Sequence, residues 1–238
     1  MGLKFPRQKR RRLWLSLIYR IHRWARFPAR SRLAFYLNAH WIFGRFAHEE
    51  SHRLFNGDTH PLRDGTQRFL ACHLPTDATV LDLGCGDGVL STWLAANSAS
   101  VVGVDHDLTH LSLAKDRPAR SNLEFVHGDA GEFLDRCDRE FAVLVLSHVL
   151  EHLDDPEAFL SRFSARFDFV YVEVPDFEAS AHNLLRENIG LELSYTDADH
   201  ISEFGRSELE DVVRTAGLRI VEVERIHGVQ RLWCEKAN

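Results

Sequence analysis

The chain has 238 residues, 45% of them hydrophobic and 27% charged, which suits one sizeable domain with an appendage and excludes a disordered or repetitive polymer. Its net charge of −6 conceals a division: residues 1–48 hold 12 Lys/Arg and no acid, whereas the remainder holds 17 bases against 35 acids. So acidic a body argues against broad binding of a phosphate backbone by the main domain, and no apolar run approaches a transmembrane span.

The first predicted element is a basic amphipathic helix between Arg12 and Phe27. Trp14, Leu17, Ile18, Ile21 and Trp24 recur at helical spacing, and Arg12, Arg20, Arg23 and Arg26 fill much of the rest. Pro28 interrupts it, and RLAFYLNAHWIFGRF predicts a second helix before the polar segment HEESHRLFNGDTHP. We read residues 1–54 as a helical appendage and 55–238 as the main domain. Three roles compete for the appendage: a surface that lies on an anionic membrane, a lid over a pocket of the main domain, and an Arg-rich transit peptide. A lid that also touches the membrane fits the aromatic stripe best, with RNA contact through KRRR a minor option. Arg20 cuts the LWLSLIY run short of a signal-peptide core, so the reading places the chain in the cytoplasm, within reach of the inner membrane surface. Cys72, Cys85, Cys137 and Cys234 form no CxxC pair and read as reduced, mostly packed thiols.

Beyond residue 55 the pattern alternates. Strands are predicted at 79–83, 100–104, 124–127, 141–146, 169–174, 219–223 and 229–234, with helices near 89–97, 109–114, 158–167 and 207–216. This is an α/β pattern, a doubly wound and mostly parallel seven-stranded sheet, with the last two strands forming an antiparallel hairpin around His227-Gly228.

VLDLGCGDGVL, residues 80–90, lies where the first strand turns into its helix, the place where ligands bind in such a sheet. Gly84, Gly86 and Gly88 permit positive φ and let a ligand approach the main chain. The spacing departs from the dinucleotide fingerprint GxGxxG, and Asp82 precedes the first glycine. An acid there repels a pyrophosphate and suits a cationic ligand. Asp105 closes the second strand in VVGVD, 19 residues after Gly86, where a carboxylate can accept from both ribose hydroxyls. Asp129 closes the third. Three carboxylates at three strand tips favour a cationic nucleoside.

VLDLGCGDG, VVGVD, HGDA, VLSHVLEHL, YVEVP and HISEFGRSELEDVVRTAGL, in that order over about residues 55–238, resemble the class I S-adenosyl-L-methionine-dependent methyltransferases, in particular the small-molecule and glycan branch. The resemblance implies that Gly84 and Gly86, in the turn that also holds Cys85 and Gly88, pack on the methionine part of the cofactor and that Asp82 holds its ammonium. It further implies that Asp105, followed by His106, binds the ribose, that Asp129 and Ala130 contact adenine, and that Leu146 and Ser147 lie beside the sulfonium. Transfer to a hydroxyl calls for a base, and histidine suits neutral pH. His148 is the first candidate, with His152 four residues on and His200 further along. The insertion between the fifth strand and the last helix is where this superfamily usually builds its acceptor pocket, and there His200 and Phe204 are candidates for acceptor contact. HxxEH with His200 also resembles the ExxEH metal site of small-RNA 3′-end methyltransferases. His148 stands in place of the first glutamate, and the reading assigns no metal. The expected activity is methyl transfer to an oxygen or similar nucleophile of a small molecule, lipid-linked intermediate or sugar. Its rivals are metal-assisted methylation of an RNA ribose and a non-catalytic cofactor-binding subunit. The oligomeric state stays open.

Overall fold

The computed structural model describes residues 13–24, 26–55, 59–192, 197 and 199–237, with side chains from residue 16 onward. Arg12, the KRRR run and the side chain of Trp14 lie outside them.

Two helices lead. α1 spans Leu13–Trp24, and α2 spans Ala29–Leu54, starting just after Pro28, whose fixed φ and missing N–H suit a helix start. α2 runs on through HEESHRL, which the sequence reading left outside it. α3 (Arg63–His73) follows and was not expected. The body then alternates: β1 (Thr79–Leu83), α4 (Val89–Asn97), β2 (Ser100–Asp105), α5 (Leu108–Lys115), β3 (Leu123–His127), α6 (Ala130–Arg136), β4 (Val143–Ser147), α7 (Pro156–Phe163) and β5 (Phe169–Pro175). α8 (Ala181–Asn188) and α9 (Arg206–Thr215) precede the final strands β6 (Leu218–Ile226) and β7 (Val229–Lys236). Side-chain caps start several of the helices. Asp107 accepts from the backbone N–H of Thr109 at 2.6 Å, and Asp155, followed by Pro156, accepts from that of Ala158 at 2.8 Å.

The seven strands lie in the order β3-β2-β1-β4-β5-β7-β6, all parallel except β7, which is antiparallel to both neighbours. β6 runs three residues further than the sequence reading had it. The hairpin therefore closes on the two residues His227 (φ 56°) and Gly228 (φ 80°), a turn whose twist matches the strands it joins. Both sheet faces are covered, so the central strands read as continuous apolar runs. Leu81, Leu83, Leu144, Leu146 and Val172 build one core with α7 and α9. Val80, Val143, Val145, Tyr171 and Trp233 build the other with α3 and α4. Strand order reverses between β1 and β4, which opens a crevice at their carboxyl ends.

Candidate active site

The turn after β1 is tied to β2 before it is tied to anything else. The Val104 carbonyl accepts from the N–H groups of Gly84 and Cys85 at 2.8 and 3.0 Å. Asp105 Oδ2 accepts from Gly86 N–H at 2.7 Å, and Oδ1 accepts from Asp107 N–H at 2.8 Å. All three glycines have positive φ. Their bareness nonetheless serves two tasks. A Cβ on Gly84 would meet Val149 Cγ2 at 2.8 Å, and one on Gly88 would meet Phe125 Cζ at 2.6 Å, so these two let the turn pack inward. A Cβ on Gly86 would meet nothing within 4 Å; that backbone faces open space.

Asp82 is only 1% exposed and accepts one hydrogen bond, from Ser91 Oγ at 2.5 Å. Burial, with the nearby charge of Asp105, pushes its carboxyl up to about 7 against the pull of that bond. Among the described residues no cation pairs with it. The buried Cys85 thiol is driven up by burial, then by Asp82 and Asp105, and is chemically quiet; Cys234 is pushed up to about 12 by burial. Cys72 is exposed and Cys137 half-buried.

At the tip of β4 the chain kinks through His148, whose φ of 56° turns the ring back over the sheet. Its Nδ1–H donates to Glu151 Oε1 at 2.9 Å, and its Nε2–H faces Glu173 Oε1 at 3.3 Å. Burial opposes charge on this imidazole, but the hydrogen bonds and charges of Glu151 and Glu173 prevail and raise it to about 10. Both nitrogens therefore carry protons at neutral pH. That changes the expectation for His148: the ring keeps 46% of its side-chain surface open, yet it is a clamped cation without the lone pair a base needs. Behind it, Glu173 on β5 sits opposite Arg231 on β7 and accepts from Arg231 Nε at 2.6 Å, Tyr171 Oη at 2.5 Å, Thr66 Oγ1 at 2.7 Å and Ser147 Oγ at 3.1 Å. Neither Glu173 nor Arg231 stands out in the sequence, because only the antiparallel register of β7 brings them together.

His152 and His200 meet edge to face, with ring centroids 5.0 Å apart. His152 Nδ1–H donates to the Asp199 carbonyl at 3.3 Å, and His200 Nδ1–H donates to Glu203 Oε1 at 3.0 Å. Burial lowers the His200 pKa, but the Glu203 bond and charge outweigh it and raise the group. Potential ligand atoms of Glu151, His152 and His200 lie within 4.8 Å of one another, as do those of Asp197, Asp199 and His200. Glu151 is fully buried, and its Oε2 has no hydrogen-bond partner.

One cavity of about 1000 Å³ joins these pieces. Asp82, Gly84, Cys85, Gly86, Ser147, His148, His152, Glu173 and His200 all line it, and α2 closes its side with His40, Trp41, Gly44, Arg45, His48 and His52. The appendage is thus part of the wall. Other expected site residues stand elsewhere. Asp105 is fixed at the tip of β2 just outside the lining, beside an exposed His106. Asp129 caps α6, accepting from Glu132 N–H at 3.0 Å, with Ala130 as the helix's first residue. Leu146 is fully buried in the core. Phe204 is a correction to the acceptor contacts: it packs in the core beneath α9, and only its carbonyl is engaged, by Gln230 Nε2 at 3.0 Å.

A doubly wound sheet with a glycine turn, an acid at the second strand tip and a reversed last strand defines a class I methyltransferase fold, and Asp82 and Gly86 fit a cationic nucleoside lodged against that turn. The family model described as "Methyltransferase domain" matches residues 51–223. The chain belongs to that family. Among curated relatives it is similar to a ubiquinone biosynthesis O-methyltransferase of Coxiella burnetii, 28% identical over 156 residues, which are 62% of this chain. The chain spans 66% of that relative's length, a little under two thirds. Among solved structures it is similar in fold to magnesium protoporphyrin IX methyltransferase from Synechocystis PCC 6803 with bound SAH (TM-score 0.57, 18% identity, 73% of this chain and 81% of the other). A SAM-dependent methyltransferase from Archaeoglobus fulgidus shares the fold similarly (TM-score 0.57, 18% identity, 73% and 94%).

Proposed function

We propose that the chain methylates an oxygen nucleophile of a small-molecule or lipid-linked acceptor, and that α2 forms the acceptor side of the site. One observation carries this reading: the glycine turn, Ser147 at the tip of β4 and the His152–His200 pair line a single cavity. In this reading Gly84 and Gly86 lie along the methionine part of S-adenosylmethionine, Asp82 meets its ammonium, Asp105 its ribose, and Asp129 and Ala130 its adenine. Ser147, whose side chain reaches the cavity where that of Leu146 does not, stands beside the sulfonium. When bound, the cofactor supplies a methyl group already activated by a positive sulfur, so the chain's own work is to orient the acceptor and exclude water.

A hydroxyl acceptor must also lose a proton. We assign that task to His152, because the Asp199 carbonyl holds its Nδ1–H and leaves Nε2 as the basic nitrogen at the cavity wall. His148 holds the Glu151–Glu173 framework in place instead. A second reading, a divalent ion on Glu151, His152 and His200, is favoured by the buried Glu151 Oε2 that lacks a partner. The outer faces of α1 and α2 support an acceptor drawn from a membrane surface. Ile18, Ile21, Trp24, Phe27, Phe43 and Phe46 are exposed there alongside Arg20, Arg23 and Arg26, and among the described residues no helix is long and apolar enough to cross a bilayer.

The test is incubation of the full chain with methyl-labelled cofactor and fractionated cell extract. Label entering lipid or small-molecule fractions supports the proposal, and label entering RNA or protein rejects it. His152→Ala is expected to lower kcat by about 10²–10⁴-fold without weakening cofactor binding. Activity that EDTA abolishes and manganese restores would transfer His152 from base to ligand. Cofactor binding without turnover on any fraction would make the chain a non-catalytic subunit.

A further inference from the structure

Where the cavity ends against α8, one buried charge is incomplete. Arg186 is 3% exposed and lines the cavity. Its Nη1 donates to Asn183 Oδ1 at 2.8 Å, and its Nη2 donates to the Leu37 carbonyl at 2.9 Å and to His40 Nδ1 at 3.3 Å. All three acceptors are uncharged, since burial and then the fields of His182 and Arg186 push the His40 pKa down. Nε has no partner. The other arginines lining this cavity each face an acid: Arg45 faces Asp197, Arg63 lies 3.7 Å from Asp87, and Arg231 lies between Glu173 and Glu224. Among the described residues no carboxylate pairs with Arg186, and burial, with no acid to oppose it, lowers its pKa.

A guanidinium withdrawn from water costs several kcal/mol unless an anion offsets it. Hydrogen bonds to an amide, a carbonyl and an imidazole hold the group in place without cancelling its charge. Its planar donor fork also matches a carboxylate or a phosphate. Nothing in the fold explains why the charge is kept there: a neutral side chain would bridge α2 and α8 more cheaply. We propose that Arg186 is the counter-ion for an anionic group, a carboxylate or phosphate, that the acceptor carries into this end of the cavity. The acceptor class is thereby narrowed from neutral alcohols and phenols to molecules bearing an anion as well as the methylated oxygen. His40 and Asn183 set the fork's orientation, and α2 and α8 together form the pocket's two walls.

This rests on the methyltransferase reading of the cavity, so the experiment separates the two. The full chain is first saturated with S-adenosylhomocysteine, which keeps the cofactor's own carboxylate from being the anion measured. It is then titrated calorimetrically with inorganic phosphate and, separately, with benzoate. The expected result is saturable one-to-one binding of at least one of them, and which one binds tells a phosphate-bearing acceptor from a carboxylate-bearing one. Asn183→Asp places an internal carboxylate on Arg186, at the expense of the bond that Asn183 Nδ2–H donates to the Phe177 carbonyl at 2.9 Å. It is expected to weaken anion binding at least about tenfold, with S-adenosylhomocysteine affinity within about twofold of wild type. The proposal is overturned if neither anion binds, if Asn183→Asp binds them as wild type does, or if either anion displaces S-adenosylhomocysteine. Failure of S-adenosylhomocysteine itself to bind would instead remove the cofactor reading.

Discussion

Asp82 and Glu173 stand near the tips of β1 and β5, both line the same cavity, and both are almost fully buried, at 1% and 3% exposed. Their chemistry diverges. Burial would raise Glu173, but His148 and Arg231, by hydrogen bond and charge, and the Tyr171 hydroxyl hold it well below the usual carboxylate range. Asp82 has only Ser91 and is pushed up to about 7. The same functional group is closed in one place and open in the other: Glu173 is completed by the chain itself, whereas Asp82 meets no cation among the described residues. The largest expected effect tests the closed half. Glu173→Ala leaves Arg231 and His148 as buried or half-buried cations short of a partner, and is expected to cost roughly 3–5 kcal/mol in chemical denaturation. The pH profile should carry the same mark. Stability supplied by Glu173 is present above its unfolded pKa and lost as pH falls. That supplied by His148 is full below 6.5 and lost as pH rises through about 10. A Glu173→Ala protein within about 1 kcal/mol of wild type would break the comparison.

The open half gives the next effect, of opposite sign. A carboxyl raised from 3.8 to about 7 binds more protons in the folded chain than in the unfolded one. In the ligand-free protein its contribution is therefore full below pH 4 and is lost as pH rises through 7, by roughly 4 kcal/mol at most. Asp82→Asn should lack that slope, and the difference between the two unfolding profiles isolates it. Cofactor binding sharpens the point. If an ammonium completes Asp82, affinity for S-adenosylhomocysteine rises with pH up to about 7, by as much as about tenfold per unit, and the rise is absent in Asp82→Asn. Equal slopes in the two proteins would leave Asp82 a purely internal group.

Asp82 was legible in the sequence and Glu173 was not, for a physical reason. Asp82 and the three glycines are neighbours along the chain, and a strand, a turn and a helix follow from their local pattern. Glu173 depends on Arg231, 58 residues away. Their meeting is fixed by the antiparallel insertion of β7 between β5 and β6, which hydrophobic periodicity cannot register. The strands could be read because the apolar runs of β1, β2, β4, β5 and β7 are buried on both faces, while the edge strands β3 and β6 still carry β-branched and apolar residues at short spacing. α3, α6 and α8 could not, since RDGTQRFLACH, AGEFLDR and AHNLLREN are short and each offers only a few apolar residues from which to read a period. Missing α8 hid Arg186. Reading the second helix as ending before HEESHRL hid His52, which lines the cavity from the last turn of α2. His148 was visible as a residue but not as a cation, because neither carboxylate that charges it could be placed beside it from sequence: Glu173 is remote, and the contact with Glu151 depends on the positive φ of His148 itself.

The smallest effects separate two adjacent residues that the sequence treated as a pair. Asp105 uses both oxygens to fix the turn, on Gly86 N–H and Asp107 N–H, and each oxygen keeps a second lone pair for a ribose hydroxyl. Asp105→Ala is expected to weaken S-adenosylhomocysteine binding by roughly 1.5–3 kcal/mol for each charge-assisted bond lost. His106 leaves 85% of its side chain in solvent, and its ring lies 3.8 Å from Asp105 Oδ1, beyond hydrogen-bonding range. His106→Ala should therefore stay within about twofold of wild type in the same titration. The two measurements together locate the nucleoside. A large loss at Asp105 with none at His106 puts the ribose against the carboxylate inside the crevice. A matching loss at both would move it outward over the exposed ring, away from Gly86, the one glycine of the turn whose backbone faces open space.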